Sequence, residues 1–178
     1  MRELSLNILD ITQNSISAGA SVVEISILQS EEKDLLEIAI TDNGKGMTAE
    51  QIIQVTDPFY TTRKTRKVGL GIPLFKMAAE MSGGNFSITS TPGVGTKIVA
   101  GFQNSHIDRM PMGDMNSTIG SLIYLNPGID FIYRESVNEA EFILDTRELR
   151  TELGEVPLNA PEVTGWIKEY FTENTKLR

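Results

Sequence analysis

Four polar residues, Asn7, Asp10, Asn14 and Ser17, recur at intervals of three and four in the N-terminal stretch NILDITQNSIS. On a helix that spacing gathers them into one stripe. An asparagine carbonyl and a carboxylate one turn apart can hold a hydrated Mg2+ ion and orient a water or hydroxyl. The same stripe also reads as the solvated edge of an amphipathic helix, and spacing alone favours that plainer reading. A second constellation lies in ITDNGKGMTAEQIIQVTDPFYTTRKTRKVGLGIPLF, residues 40–75. Asp42 stands where an apolar run ends, able to accept a hydrogen bond from an amino group. Gly44 and Gly46 permit positive φ and let the backbone approach a flat ligand closely. An ordinary Asp-Asn-Gly turn explains those glycines equally well. Gly69 and Gly71 leave backbone N–H groups unobstructed where a helix opens, a place that favours phosphate.

The elements that must position these residues follow from periodicity. The pattern predicts a helix over about 4–18, strands over 22–28 and 35–41, and a helix over about 49–55. A helix over about 70–82 and strands over 85–91 and 96–102 follow. Leu4, Ile8, Ile11 and Ala18 share one side of the first helix while Leu9 and Ile16 lie on another, so this helix is largely buried. Thr48 with Gln51 forms a capping box, Gly83-Gly84 is a helix stop, and TPGVGT reads as a hairpin turn. Beyond residue 103 the pattern predicts a helix over about 114–125, a hairpin of IDFIYRES and EFILDT, a short helix over about 146–153 and a helix over about 161–174. The fold class is α/β, in the sense of an α+β two-layer sandwich. Residues 1–103 form the main domain and 104–178 a small α+β extension.

Composition narrows the chemistry. A chain of 178 residues with 40% hydrophobic content can fill the core of one ordinary domain. Zero cysteines exclude disulfides, thiolate metal sites and cysteine nucleophiles, and a single histidine leaves any metal to oxygen ligands. The net charge of −8 argues against nucleic-acid partners. Residues 1–102 hold 11 acids and 9 bases, and 103–178 hold 13 acids and 7 bases, so the tail is the acidic part. Against that background RKTRK at 63–67 stands out as basic. No run reaches the roughly 18 apolar residues of a membrane span and no signal peptide is recognisable, so a cytoplasmic location without a membrane partner is the expectation.

In order and spacing these motifs resemble the GHKL superfamily of ATPases, which includes gyrase, the heat-shock chaperone, histidine kinases and mismatch-repair proteins. NILDITQNSISAGAS resembles the N box, DNGKGM the first glycine box, DPFYTTR the F box of histidine kinases, GLGIPL the second glycine box and GVGTKI the closing threonine element. The resemblance implies the Bergerat fold, a mixed sheet with helices on one face and ATP held beneath a lid. It implies that Asn14 coordinates Mg2+, that Asp42 binds the adenine amino group and that Gly44 and Gly46 shape the base pocket. Gly69 and Gly71 would meet the phosphates, and Thr96 would support Asp42 through a water. Asp10 matches the acidic position that activates water in the gyrase-like branch. Met47, Phe59, Thr61 and Leu70 fall within the same motifs and are counted with the nucleotide site.

Nine residues between Phe59 and Gly69 make a short lid, which favours the kinase branch and casts Arg63, Lys64, Arg66 and Lys67 as phosphate contacts. The segment HIDRMPM at 106–112 is similar to the kinase H box, but Pro111 and Gly113 disfavour the long helix that box needs, so His106 reads as a linker histidine. The expected activity is that of a stand-alone, Mg2+-dependent protein kinase or ATPase passing the γ-phosphate of ATP to a separate signalling protein. The alternative is an ATP-gated regulatory module of the anti-sigma or partner-switching type without phosphotransfer. A homodimer is compatible with either.

Overall fold

The computed structural model describes residues 3–59 and 70–177. Helix α1 (Leu4–Ser17) leads into strands β1 (Val22–Ser30) and β2 (Leu35–Asp42), then α2 (Ala49–Thr56), α3 (Gly71–Met81), β3 (Asn85–Thr91) and β4 (Gly95–Gln103). The tail adds α4 (Met115–Leu125), β5 (Asp130–Val137), β6 (Ala140–Asp145), α5 (Thr146–Leu153) and α6 (Pro161–Asn174). These bounds fall within a few residues of those that periodicity predicts.

Local chemistry accounts for most of the boundaries. Thr48 Oγ1 accepts from Gln51 N while Gln51 Oε1 accepts from Thr48 N, the reciprocal capping box that opens α2. At the far end of α3, Gly83 takes φ 68°, and Gly83 N and Gly84 N donate back to Glu80 O and Ala79 O. That Schellman arrangement needs a residue free to adopt left-handed geometry, which is why the glycine pair stops the helix. The N-terminus of α1 has no side-chain cap. Its first donors are satisfied from the tail linker instead: Leu4 N donates to Pro111 O at 2.9 Å and Ser5 N to Met112 O at 2.8 Å.

The strands form one six-stranded sheet in the order β3-β4-β2-β1-β5-β6. β5 runs parallel to β1, and every other neighbouring pair is antiparallel, so the sheet is mixed. Alternation sorts its faces. Val23, Ile25 and Ile27 of β1 are buried, and Ile25 and Ile27 register with buried Ile40 and Ile38 of β2. This face forms one hydrophobic cluster with Leu4, Ile8 and Ile11 of α1, Phe75 and Ala79 of α3, Ile119 and Ile123 of α4, and Ile167 and Phe171 of α6. The opposite face carries the exposed ion pair of Arg134 Nε with Glu24 Oε1 at 2.9 Å. The tail therefore extends the same sheet and shares its core.

The tail hairpin is held to α6 by aromatic contacts among Tyr133, Phe142 and Phe171. Buried Glu135 accepts from Tyr133 Oη, Lys176 N and Leu177 N, which docks the segment after α6. Burial and the adjacent Glu135 carboxylate push the Tyr133 phenol far above its ordinary value, so it stays a neutral donor.

Candidate functional site

Asp42 ends β2 on the helix-covered face, directly across the strands from Thr96 of β4. Its two oxygens are pinned separately. Oδ2 accepts from Ser15 Oγ of α1 at 2.6 Å, and Oδ1 accepts from Gly44 N at 2.8 Å. A carboxylate has about four acceptor positions, so each oxygen keeps capacity for a ligand's N–H. The loop after Asp42 is fitted just as closely. Gly46 has φ 68°, and a Cβ there would lie 2.0 Å from Thr91 O, so no other residue fits without moving the backbone. Met47 N donates to Ser90 Oγ at 2.7 Å, and Ser90 Oγ lies 2.8 Å from Thr96 Oγ1. A side-chain chain thus ties the glycine loop to the strand that faces Asp42.

A cleft of about 370 Å³ opens at this point, lined by Ile11, Asn14, Ser15, Asp42, Gly46, Met47, Val55, Ile72, Thr96 and Ile98, among others. Apolar side chains are interleaved in its walls with the polar groups of Asn14, Asp42, Lys45, Gln51, Gln54 and Thr96, a mixture that suits an organic ligand with polar edges. Asn14 lines it from α1. Asp10, one turn earlier, is exposed and rests against the start of α3: a Cβ on Gly71 would lie 3.2 Å from Asp10 Cβ. Leu70, the N-cap residue of α3, makes no side-chain cap hydrogen bond among the described residues, and the start of this helix lies beside Asp10.

The structure therefore brings Asn14, Asp42, Gly46, Met47 and Thr96 together around one cleft, with Gly44 against Asp42 and Asp10 against Gly71. Leu70 caps α3 with its side chain half exposed, and Phe59 is exposed with its N donating to Asp57 Oδ1. Thr61, Arg63, Lys64 and Gly69 lie outside the described residues, as do Arg66 and Lys67. The polar stripe on α1 is not a uniform solvated edge: Asn7 is buried at 1% exposure, whereas Asp10 and Ser17 are exposed. His106 lies in a turn, where its Nδ1 accepts from Asp108 N.

Sequence reasoning missed two residues that the site uses, Ser15 and Ser90. Ser15 lies on the core-facing side of α1, seven residues after Ile8, off the polar stripe that drew attention. A serine among apolar neighbours was the available signal. Among the described residues no three acidic, histidine or cysteine side chains gather into a metal cluster. A divalent cation here would be held by Asn14 Oδ1 together with phosphate oxygens and water, a hard-oxygen set that suits Mg2+.

A mixed sheet covered on one face by helices, with a carboxylate-headed cleft between the two layers, is the Bergerat class of nucleotide-binding fold. The profile described as "Histidine kinase-, DNA gyrase B-, and HSP90-like ATPase" matches residues 1–105, and the chain belongs to this ATPase family. Sensor histidine kinase ZraS of Escherichia coli O157:H7 is 32% identical over 90 residues, which covers 51% of this chain and 19% of that protein. Sensor protein DegM of Bacillus sp. (strain B21-2) is 32% identical over 92 residues, covering 52% of this chain and 24% of that protein. The chain thus matches less than a quarter of the length of these relatives. A solved structure of the N-terminal domain of a DNA repair protein superposes over 82% of this chain and 53% of its own, with a TM-score of 0.57 and 18% identity, a likeness of fold. Among the described residues no helix is long and apolar enough to cross a membrane.

Proposed function

We propose that this chain binds ATP with Mg2+ in the α1–α3 cleft and transfers the γ-phosphate to a separate signalling protein in the cytoplasm. The observation that carries this reading is the double fixation of Asp42 by Ser15 Oγ and Gly44 N in the wall of a cleft shared with Asn14 and Thr96. A carboxylate held this way presents an acceptor of fixed direction to the exocyclic amino group of adenine, where guanine offers a carbonyl. Gly44 and Gly46 would shape the base pocket by letting the loop pack closely on Ala18 and Thr91. Asn14 would hold the metal, whose chemistry is to draw the phosphate oxygens together and offset their charge. Asp10, close to Gly71 at the start of α3, would take a proton from the attacking hydroxyl or water. Arg63, Lys64 and Gly69 enter as phosphate contacts on the sequence motif, as does Thr61 with the lid.

The test is incubation of the protein with γ-labelled ATP and Mg2+, with and without a cell lysate. Label on a separate protein supports the kinase reading. Release of inorganic phosphate alone reduces it to an ATPase, and binding without either outcome leaves a nucleotide-gated regulator. Failure to bind ATP overturns the reading.

A further inference from the structure

We propose that Asn7 is a positioning residue for the Asp10 carboxylate, donating a side-chain N–H to it directly or across one water when the cleft is occupied. The proposal rests on the reading of Asp10 as the proton acceptor and deepens it. Asn7 is 1% exposed, and neither Nδ2 nor Oδ1 has a hydrogen-bond partner among the described residues. An enclosed amide that satisfies none of its donors or acceptors opposes folding, and a leucine of similar size would remove that cost. Its place on α1 supplies a reason for it.

At 100° per residue, Asn7 lies about 20° from Asn14 around the helix and about 60° from Asp10, one turn below the cleft wall. Side chains three or four apart on a helix are neighbours, so Asn7 is flanked by two anions: Glu3, whose Oε2 accepts from Ser5 Oγ at 3.4 Å, and Asp10, the one on the side toward Asn14. Gly71 at the start of α3 lies close on the other side of Asp10, where an added Cβ would come within 3.2 Å of Asp10 Cβ. A donor from below would complete its orientation toward the cleft and keep the carboxylate from swinging into solvent.

Thr12 supplies an internal control. Its hydroxyl is equally buried and equally unpartnered, but it lies about 140° from Asn7, away from the stripe. If an orphaned polar group were merely tolerated in this helix, the two positions would behave alike.

The experiment compares Asn7→Leu with Thr12→Val, both of which remove a buried orphan at nearly constant volume. Both should raise Tm. Asn7→Leu should also lower Mg·ATP turnover about tenfold while nucleotide affinity stays within about twofold, whereas Thr12→Val should leave turnover unchanged. A second measurement is independent of turnover: the Asn7 side-chain NH2 signals by NMR, free and with Mg2+ and the β,γ-imido analogue of ATP, in the parent and in Asp10→Ala. A change in those signals on removing Asp10, in either state, supports the coupling even if the parent proves to have no turnover, an outcome that would sink the phosphotransfer reading alone. Asn7 signals indifferent to Asp10 in both states, or an Asn7→Leu protein with parental turnover, would overturn the proposal.

Discussion

Ser15 Oγ and Asp42 Oδ2 lie 2.6 Å apart, which joins the N-terminal helix to the end of the second strand by one short hydrogen bond. Gly44 N holds the other oxygen at 2.8 Å. Ser15→Ala should leave Asp42 oriented by one donor in place of two and weaken adenine-nucleotide binding roughly threefold to tenfold, the net worth of one hydrogen bond. Asp42→Asn removes the charge proposed to receive the adenine amino group and should cost about 1.5–3 kcal/mol. Calorimetry with ATP and GTP checks both, and equal affinity of the parent for the two nucleotides would exclude Asp42 as the base reader.

Asn14→Ala should abolish Mg2+-dependent turnover and leave part of the metal-free nucleotide affinity, because phosphates and waters complete the ion's coordination only once a protein oxygen anchors it. Titration with and without EDTA separates the two effects. Parental turnover in the variant would refute the assignment.

Gly46→Ala places a Cβ 2.0 Å from Thr91 O at φ 68°. Strain of this kind costs about 1–3 kcal/mol in the backbone, and the clash adds to it. The expected result is a clear fall in Tm together with weakened nucleotide binding, since Met47 N must shift off Ser90 Oγ.

A fragment ending at residue 105 retains every motif of the ATPase family yet should not fold independently. It lacks Pro111 O and Met112 O, which satisfy the first donors of α1, and it exposes the edge of β1 that pairs with β5. Burying one large aliphatic side chain is worth about 1.5–3 kcal/mol, and the fragment uncovers several. A cooperative thermal transition by circular dichroism in the fragment would contradict this.

Asp114 caps α4 by accepting from Ser117 Oγ at 2.6 Å and Ser117 N at 2.9 Å. The Ser117 hydroxyl, and then its backbone N–H, hold the Asp114 carboxyl below its ordinary value of 3.8. A lowered native value means the unfolded chain takes up the proton first as the pH falls. The cap's stabilisation is therefore complete above the ordinary value and is lost as pH drops through the native one. Asp114→Ala should cost about 1 kcal/mol near neutrality. The Tm gap between parent and variant should hold from about pH 7 to 5 and shrink below about pH 4.

How far the sequence can be read varies with the range of the interaction. The capping box of Thr48 and Gln51 spans three residues, and the Gly83-Gly84 stop acts within one turn, so both are visible as spelling. The β1–β2 turn is different. Asp34 there accepts from Ser105 N, Ser105 Oγ and Gln103 Nε2, residues some seventy positions away, and the Ser105 hydroxyl leads in holding its carboxyl below the ordinary range. No local pattern announces such a staple. The tail hairpin is legible as two strands, yet its parallel junction with β1 is not, because alternation shows which side chains face the core and says nothing about which neighbouring strand shares it.

By itself the sequence determined the elements, the order of the nucleotide motifs and the acid at the end of β2. Each depends on periodicity, on capping within a turn or on glycine where a side chain cannot fit. Only the tertiary structure decided that Ser15 on the core side of α1 would orient Asp42, that Asn7 would be enclosed without a partner, and that the acidic tail would complete the sheet. The physical reason is that helical and strand periodicity reports the direction a side chain faces, whereas its partner is set by close packing between segments brought together from distant parts of the chain.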